Sequence, residues 1–223
     1  MTKQTKVTVA SIVFLLVAIA DVYAVIVQNK TVEMIFKPLL MTSLAVVYLA
    51  SVKKPSFWLL SALFFSFWGD VFLLDKTNFF VFGLASFLVA HMVYIKITTS
   101  FLYKDSVVKI LTSAIPFVLL FMGLLGLIYN NLGDMLLPVL VYGVAISIFG
   151  TAALLNYRQQ KTTANTWLLL GAILFIASDS LIALNNFYMP KPLFNIAIII
   201  LYVVSQYLIV KAVIAKENYK LLT

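Results

Sequence analysis

Two carboxylates stand inside apolar runs long enough to cross a lipid bilayer. Asp70 lies in Ser66-Phe67-Trp68-Gly69-Asp70-Val71-Phe72-Leu73-Leu74, and Asp179 in Ile173-Leu174-Phe175-Ile176-Ala177-Ser178-Asp179-Ser180-Leu181-Ile182. Each has aromatic residues upstream, a small residue directly before it and aliphatic residues after it. A charge at bilayer depth costs on the order of several kcal/mol unless it is paired, protonated or hydrated, so an acidic residue there is a candidate functional group by default. Two carboxylates in one low-dielectric pocket do not both ionise cheaply, and one keeps its proton while the other stays charged. That is a general acid beside a general base, and the pattern predicts that the fold brings Asp70 and Asp179 together. Ser66 lies one turn before Asp70 and Asn186 two turns after Asp179, on matching helix faces, where they can orient the carboxylates. Gly69 and Ser178 are small enough to let a neighbouring helix approach closely.

The elements that must position these groups are membrane-spanning helices. The 223-residue chain is 63% hydrophobic with a mean hydropathy of +1.07, and only 11% of its residues are charged, a balance no ordinary soluble domain has. Apolar runs fall near 7–27, 35–52, 57–74, 79–101, 107–128, 135–156, 165–184 and 193–215. At about 1.5 Å per residue each is long enough for a hydrocarbon core of roughly 30 Å. The expectation is an all-α polytopic transmembrane bundle of eight helices, forming a single integral membrane domain over residues 1–223. The first run follows Lys3 and Lys6 as a signal peptide would, but its length and Asp21 favour a retained first helix. Without cysteine there is no thiolate nucleophile or thiolate metal site, and a single histidine makes a conventional metal cluster improbable; no metal or other cofactor is expected. The net charge of +8 sits in short loops between apolar runs, where it serves orientation and lipid headgroups rather than nucleic acid.

Twelve of the sixteen basic residues fall at the termini and in the loops after the second, fourth and sixth runs. The positive-inside rule then places both termini in the cytoplasm, in the plasma (inner) membrane of a bacterium. With Asp70 and Asp179 in the third and seventh runs, a faint parallel 4+4 repeat is expected, with a pseudo-twofold along the membrane normal. Counting from the inner ends at about 1.5 Å per residue puts Asp21, Lys37, Asp70 and Asp179 at one level, roughly 19 to 22 Å in. Asp21 and Lys37 there read either as a helix-to-helix ion pair, with Lys37 alternatively a snorkelling cation, or as groups of the catalytic site that meet a substrate. Lys37 directly precedes Pro38, a residue common at helix starts. His91, with Tyr94 one turn on, reads either as a buried hydrogen-bonding histidine or as part of the same site.

Several stretches together carry a resemblance: Phe36-Lys37-Pro38-Leu39-Leu40-Met41, Phe65-Ser66-Phe67-Trp68-Gly69-Asp70, the run from Phe82-Gly83 through His91-Met92-Val93-Tyr94, Pro138-Val139-Leu140-Val141-Tyr142, and Gly171-Ala172 through Ala177-Ser178-Asp179. In this order they resemble the lysoplasmalogenase (YhhN-like) family of eight-span membrane proteins. The resemblance covers helices two to eight; the first helix, with Asp21, carries little of it. It implies hydrolysis of the vinyl-ether bond of a lysophospholipid substrate, releasing a fatty aldehyde and a glycerophospho-headgroup. By the same resemblance Asp70 and Asp179 are catalytic, and Lys37, His91 and Tyr94 are accompanying polar positions. Ser66, Asn186 and Asp21 join them as substrate-binding candidates on position alone. The alternative reading is a proton- or cation-coupled membrane transporter using the same carboxylates. An intramembrane aspartyl protease fits less well, because Trp68-Gly69-Asp70 lacks the first glycine of a GxGD motif and no tyrosine precedes Asp179.

Overall fold

The computed structural model describes residues 2–220. Met1 and residues 221–223, which the expected single domain includes, lie outside the described residues. Eight α-helices account for nearly all of the described chain: α1 (Lys3–Ile26), α2 (Lys30–Ser51), α3 (Phe57–Leu73), α4 (Lys76–Thr99), α5 (Val107–Ile128), α6 (Leu136–Gln159), α7 (Thr163–Phe187) and α8 (Pro192–Lys220). Two short 3-10 turns, Tyr129–Asn131 and Gly133–Met135, join α5 to α6. Seven of the eight helices are long and apolar enough to cross a membrane; α3, with 17 residues, is the short one. A helix satisfies its own backbone hydrogen bonds, which is why an apolar run in lipid takes this form. The chain is an integral membrane protein.

Polar residues at the helix ends mark where the apolar runs stop. Thr2, Asn29, Ser106 and Thr162 each accept a hydrogen bond from a backbone N–H in the following first turn. Pro192 takes the first position of α8, where its missing N–H costs nothing. The expected starts hold within a few residues, with one instructive difference. Helix α2 begins at Lys30 rather than near residue 35, because Asn29 caps the N–H of Val32 and Glu33 complements the helix dipole in the first turn. Pro38 is therefore interior, and Lys37 stands one turn after Glu33 instead of at a helix start. Gln28, at φ 54°, reverses the chain between α1 and α2.

The described residues form two compact units. One comprises residues 2–93 and 213–220; the other runs from Tyr94 to Ala212, so the boundaries fall inside α4 and α8.

In the first unit the core includes Phe14, Val17, Leu40, Leu44, Leu59 and Leu63. At Gly69 helices α3 and α4 pack closely: a Cβ there would lie 2.5 Å from the ring of Phe87. Tyr48 ties two further segments together, donating to Glu217 Oε2 at 2.8 Å and accepting from the N–H of Ser56 at 2.6 Å.

In the second unit the core is built on Tyr94, Phe149, Leu168, Phe175 and Ile209. A Cβ on Gly171 would lie 2.7 Å from Ile209, and one on Gly150 2.5 Å from Phe117, so both glycines are set by close helix packing. Ser178 serves the same end differently, donating to the carbonyl of Ile198 on α8 at 3.0 Å. Helix α5 buries only Ser113, Phe117 and Ile128, and most of its other apolar side chains, among them Leu111 and Leu119, are exposed in the manner of a lipid-facing helix.

Candidate active site

Asp70 lies near the end of α3, three residues before Leu73, and is 5% exposed. Ser66, one turn earlier, is fully buried on the same helix face. Because α3 ends and α4 begins at the same end of this unit, Asp70 stands near the level of Lys76, the first residue of α4. Helices α1 and α2 meet at their own tight turn, with Asp21 five residues before the end of α1 and Lys37 seven residues into α2. Lys37 forms an ion pair with Glu33 on its own helix. Asp21 is fully buried with no hydrogen-bond partner, so the ion-pair reading of Asp21 and Lys37 does not hold. His91 is fully buried one turn after Phe87, with Nδ1 2.9 Å from the Phe87 carbonyl oxygen.

In the second unit Asp179 is 8% exposed on α7. The phenol of Tyr142, on α6, donates to its Oδ2 at 2.8 Å. Tyr94 is fully buried and donates to Oε1 of Gln206 at 2.5 Å, with its ring stacked on Phe149 at 5.7 Å between centroids. Asn186, expected to orient Asp179, is exposed near the end of α7, and its amide donates to the carbonyl of Ile182 one turn back. Side chains in the last turns of a helix commonly take up such a local acceptor.

Sequence reasoning missed Tyr142 as a site residue, although Pro138-Val139-Leu140-Val141-Tyr142 carries part of the family resemblance. The available signal was a phenol in the middle of an apolar span, since a buried tyrosine hydroxyl needs a hydrogen-bond partner. Gln206, the partner of Tyr94, offered the same signal as a buried amide on α8. The phenol's hydrogen bond gives this buried carboxyl a fixed direction. Such an arrangement suits general acid–base chemistry, which needs the carboxyl in a fixed direction.

Comparison with known proteins fits this distribution of polar residues. Residues 32–213 match the model of the YhhN family, a stretch that contains Lys37, Asp70, His91, Tyr94, Tyr142 and Asp179 and leaves Asp21 outside. A lysoplasmalogenase of Mycobacterium bovis is 30% identical over 170 residues, covering 72% of this chain and 63% of its own. Lysoplasmalogenase TMEM86A of Homo sapiens is 31% identical over 173 residues, covering 71% of this chain and 68% of its own, and the Bos taurus protein of that name is 29% identical over the same shares. The chain thus spans somewhat under two thirds of the length of its mycobacterial relative. No solved structure matches. With the family pattern running over most of its length and through both aspartate-bearing helices, the chain belongs to the YhhN family.

Proposed function

We propose that this protein is a membrane-embedded hydrolase that cleaves the vinyl-ether bond of lysoplasmalogens to a fatty aldehyde and a glycerophospho-headgroup. The observation that carries the reading is that Asp70 and Asp179 are both buried on apolar helices inside the stretch matched by the family. The relatives' name, lysoplasmalogenase, supports the choice of substrate.

The chemistry needs only what two carboxyl groups supply. A protonated carboxyl transfers its proton to the vinyl carbon remote from oxygen, leaving an oxocarbenium ion. An ionised carboxylate stabilises that cation and takes a proton from the water that attacks it. The resulting hemiacetal collapses, breaking its bond to the glycerol oxygen and releasing aldehyde and alcohol. Glycosidases divide acid and base between two carboxyl groups in the same way. Asp70 and Asp179 take these parts, with Tyr142 holding Asp179 in orientation. Lys37 meets the phosphate, and Ser66, His91 and Tyr94 shape the surroundings of the substrate.

Bond selectivity tests the mechanism. Cleaving an ester needs an activated nucleophile and donors for a tetrahedral oxyanion, and the chain has no cysteine, no serine in a GxSxG setting and one histidine. Purified protein is expected to release free aldehyde from a vinyl-ether lysolipid, no fatty acid from the ester analogue, and nothing from the saturated ether. The rate should fall in D2O, with one deuteron appearing on the carbon next to the aldehyde, and should be insensitive to chelators. Efficient ester cleavage, or loss of activity with a chelator, overturns the two-carboxyl mechanism. Coupled uptake of a solute into vesicles with no lipid turnover would favour transport instead.

The same reading places the protein in the plasma (inner) membrane of a bacterium with both termini in the cytoplasm, from the twelve-to-four distribution of basic residues. A reporter that works only in the cytoplasm should be active at the C-terminus and inactive in the Asn130 to Asp134 turn. The opposite pattern reverses the orientation.

A further inference from the structure

Asp21 is the least explained group in the first unit. It is fully buried on α1, neither carboxylate oxygen has a hydrogen-bond partner, and it lies outside the stretch that matches the family. Burying a carboxylate without a donor is costly unless something supplies one. The charged groups that face it are Lys37 and Glu33 on α2, and Lys37 is already paired with Glu33. Lys76, at the start of α4, faces the same Lys37 and Glu33. Lys76 thus adds a second ammonium near a Glu33 that Lys37 already occupies, beside an Asp21 that lacks a donor. All of these residues stand at the end of the unit where α1 turns into α2 and α3 into α4, the end that also carries Asp70.

A zwitterion of fixed order satisfies such a set. We propose that Lys37, Lys76 and Asp21 form a headgroup subsite for a phosphoethanolamine lipid: the two lysines take the phosphodiester and Asp21 takes the primary ammonium. This deepens the proposed hydrolase and rests on that reading, because only three glycerol carbons separate the phosphate from the bond to be cleaved. The subsite carries a selectivity. A primary ammonium has three N–H donors to offer the bare carboxylate, whereas trimethylammonium has none. A site built to hydrogen-bond its ligand discriminates strongly against the analogue that lacks the donor. The chain should therefore prefer ethanolamine over choline headgroups, with Asp21 setting the preference and Lys76 the affinity for phosphate.

Binding to the saturated-ether lysolipid tests this without any turnover. In detergent micelles the full chain is titrated with the ethanolamine form, the choline form and a 1-alkylglycerol that lacks the phosphate. Competition by soluble glycerophosphoethanolamine and by two-chain phosphatidylethanolamine distinguishes the substrate headgroup from free or bulk-lipid phosphoethanolamine. The wild type should bind the ethanolamine form about tenfold or more tightly than the choline form, and Asp21→Asn should remove the difference. Lys76→Gln, at the exposed start of α4, should weaken both phosphate-bearing lipids about equally and leave the 1-alkylglycerol unaffected. Equal binding of ethanolamine and choline forms by the wild type, or unchanged phosphate affinity in Lys76→Gln, overturns the subsite. Equal competition by two-chain lipid or by the soluble headgroup overturns its assignment to the substrate. Headgroup-selective binding without vinyl-ether cleavage would leave the subsite standing and remove the hydrolase, while cleavage without headgroup selectivity would do the reverse.

Discussion

The two units each carry one of the motif aspartates, and they surround it differently. In the second unit Asp179 has a neutral phenol donating to it, and nearby Tyr94 and Gln206 likewise form a pair of neutral hydrogen-bonding groups inside an aromatic core. In the first unit the end that bears Asp70 is rich in charge: Lys37 with Glu33, Lys76 facing both, Asp21 without a donor, and Lys30 facing Asp75. Neutral donors on packed helices fix a carboxyl in direction, whereas long cationic side chains near helix ends can exchange partners. The difference teaches that one sequence motif, a small residue before an aspartate in an apolar run, stands among neutral hydrogen-bond donors in one unit and at a charged helix end in the other.

The comparison breaks most decisively at the aspartates themselves. Asp70→Asn and Asp179→Asn should each lower the hydrolysis rate by about a thousandfold or more in folded protein, and the double variant should be little worse than either, because groups that act as a unit are not additive. Lysolipid hydrolysis measured beside thermal unfolding in detergent decides it. A folded single variant that keeps most of its activity would reduce that aspartate to a structural group.

A smaller effect sharpens the contrast from the side of Asp179. Tyr142→Phe deletes one donor and keeps the ring, so kcat should fall about tenfold to a hundredfold, the range of a lost hydrogen bond to a charged or charge-developing group. Its pH–rate profile should also shift, which loss of packing alone would not produce. An unchanged profile and rate would mean that the phenol merely satisfies itself.

The smallest effect lies outside the membrane spans. Asp105 is held below its ordinary value of 3.8 by hydrogen bonds first from Lys109 and then from Gln159. A carboxylate with a depressed folded pKa adds stability that is present above its unfolded pKa and lost as pH falls through the folded one. The difference in unfolding temperature between wild type and Asp105→Asn should therefore be present near neutrality, shrink below about pH 4 and vanish in stronger acid. Solvent screening of this half-buried pair keeps it small.

Much of this protein was legible in its sequence because lipid makes local rules nearly sufficient. An apolar run of about twenty residues must close its own backbone hydrogen bonds, so the eight helices followed from composition and spacing. The start of α2 was missed for an equally local reason: the eye stops at the apolar boundary, while Asn29 as a cap carries the helix five residues further and brings Glu33 and Lys37 onto one face. Other features depended on which faces meet. The sequence places a phenol at position 142 and a carboxylate at 179, but only the packing of α6 against α7 turns one towards the other. It places Asp21 and Lys37 at one level, yet nothing local decides that Lys37 takes Glu33 and leaves Asp21 buried without a donor. Composition and period act along one helix at a time, so the sequence alone determined the helices, the membrane and the candidate carboxyls. The partners of those carboxyls are set by rotation and approach between helices, where a glycine such as Gly69 or Gly171 fixes the distance, and these only the tertiary structure decided.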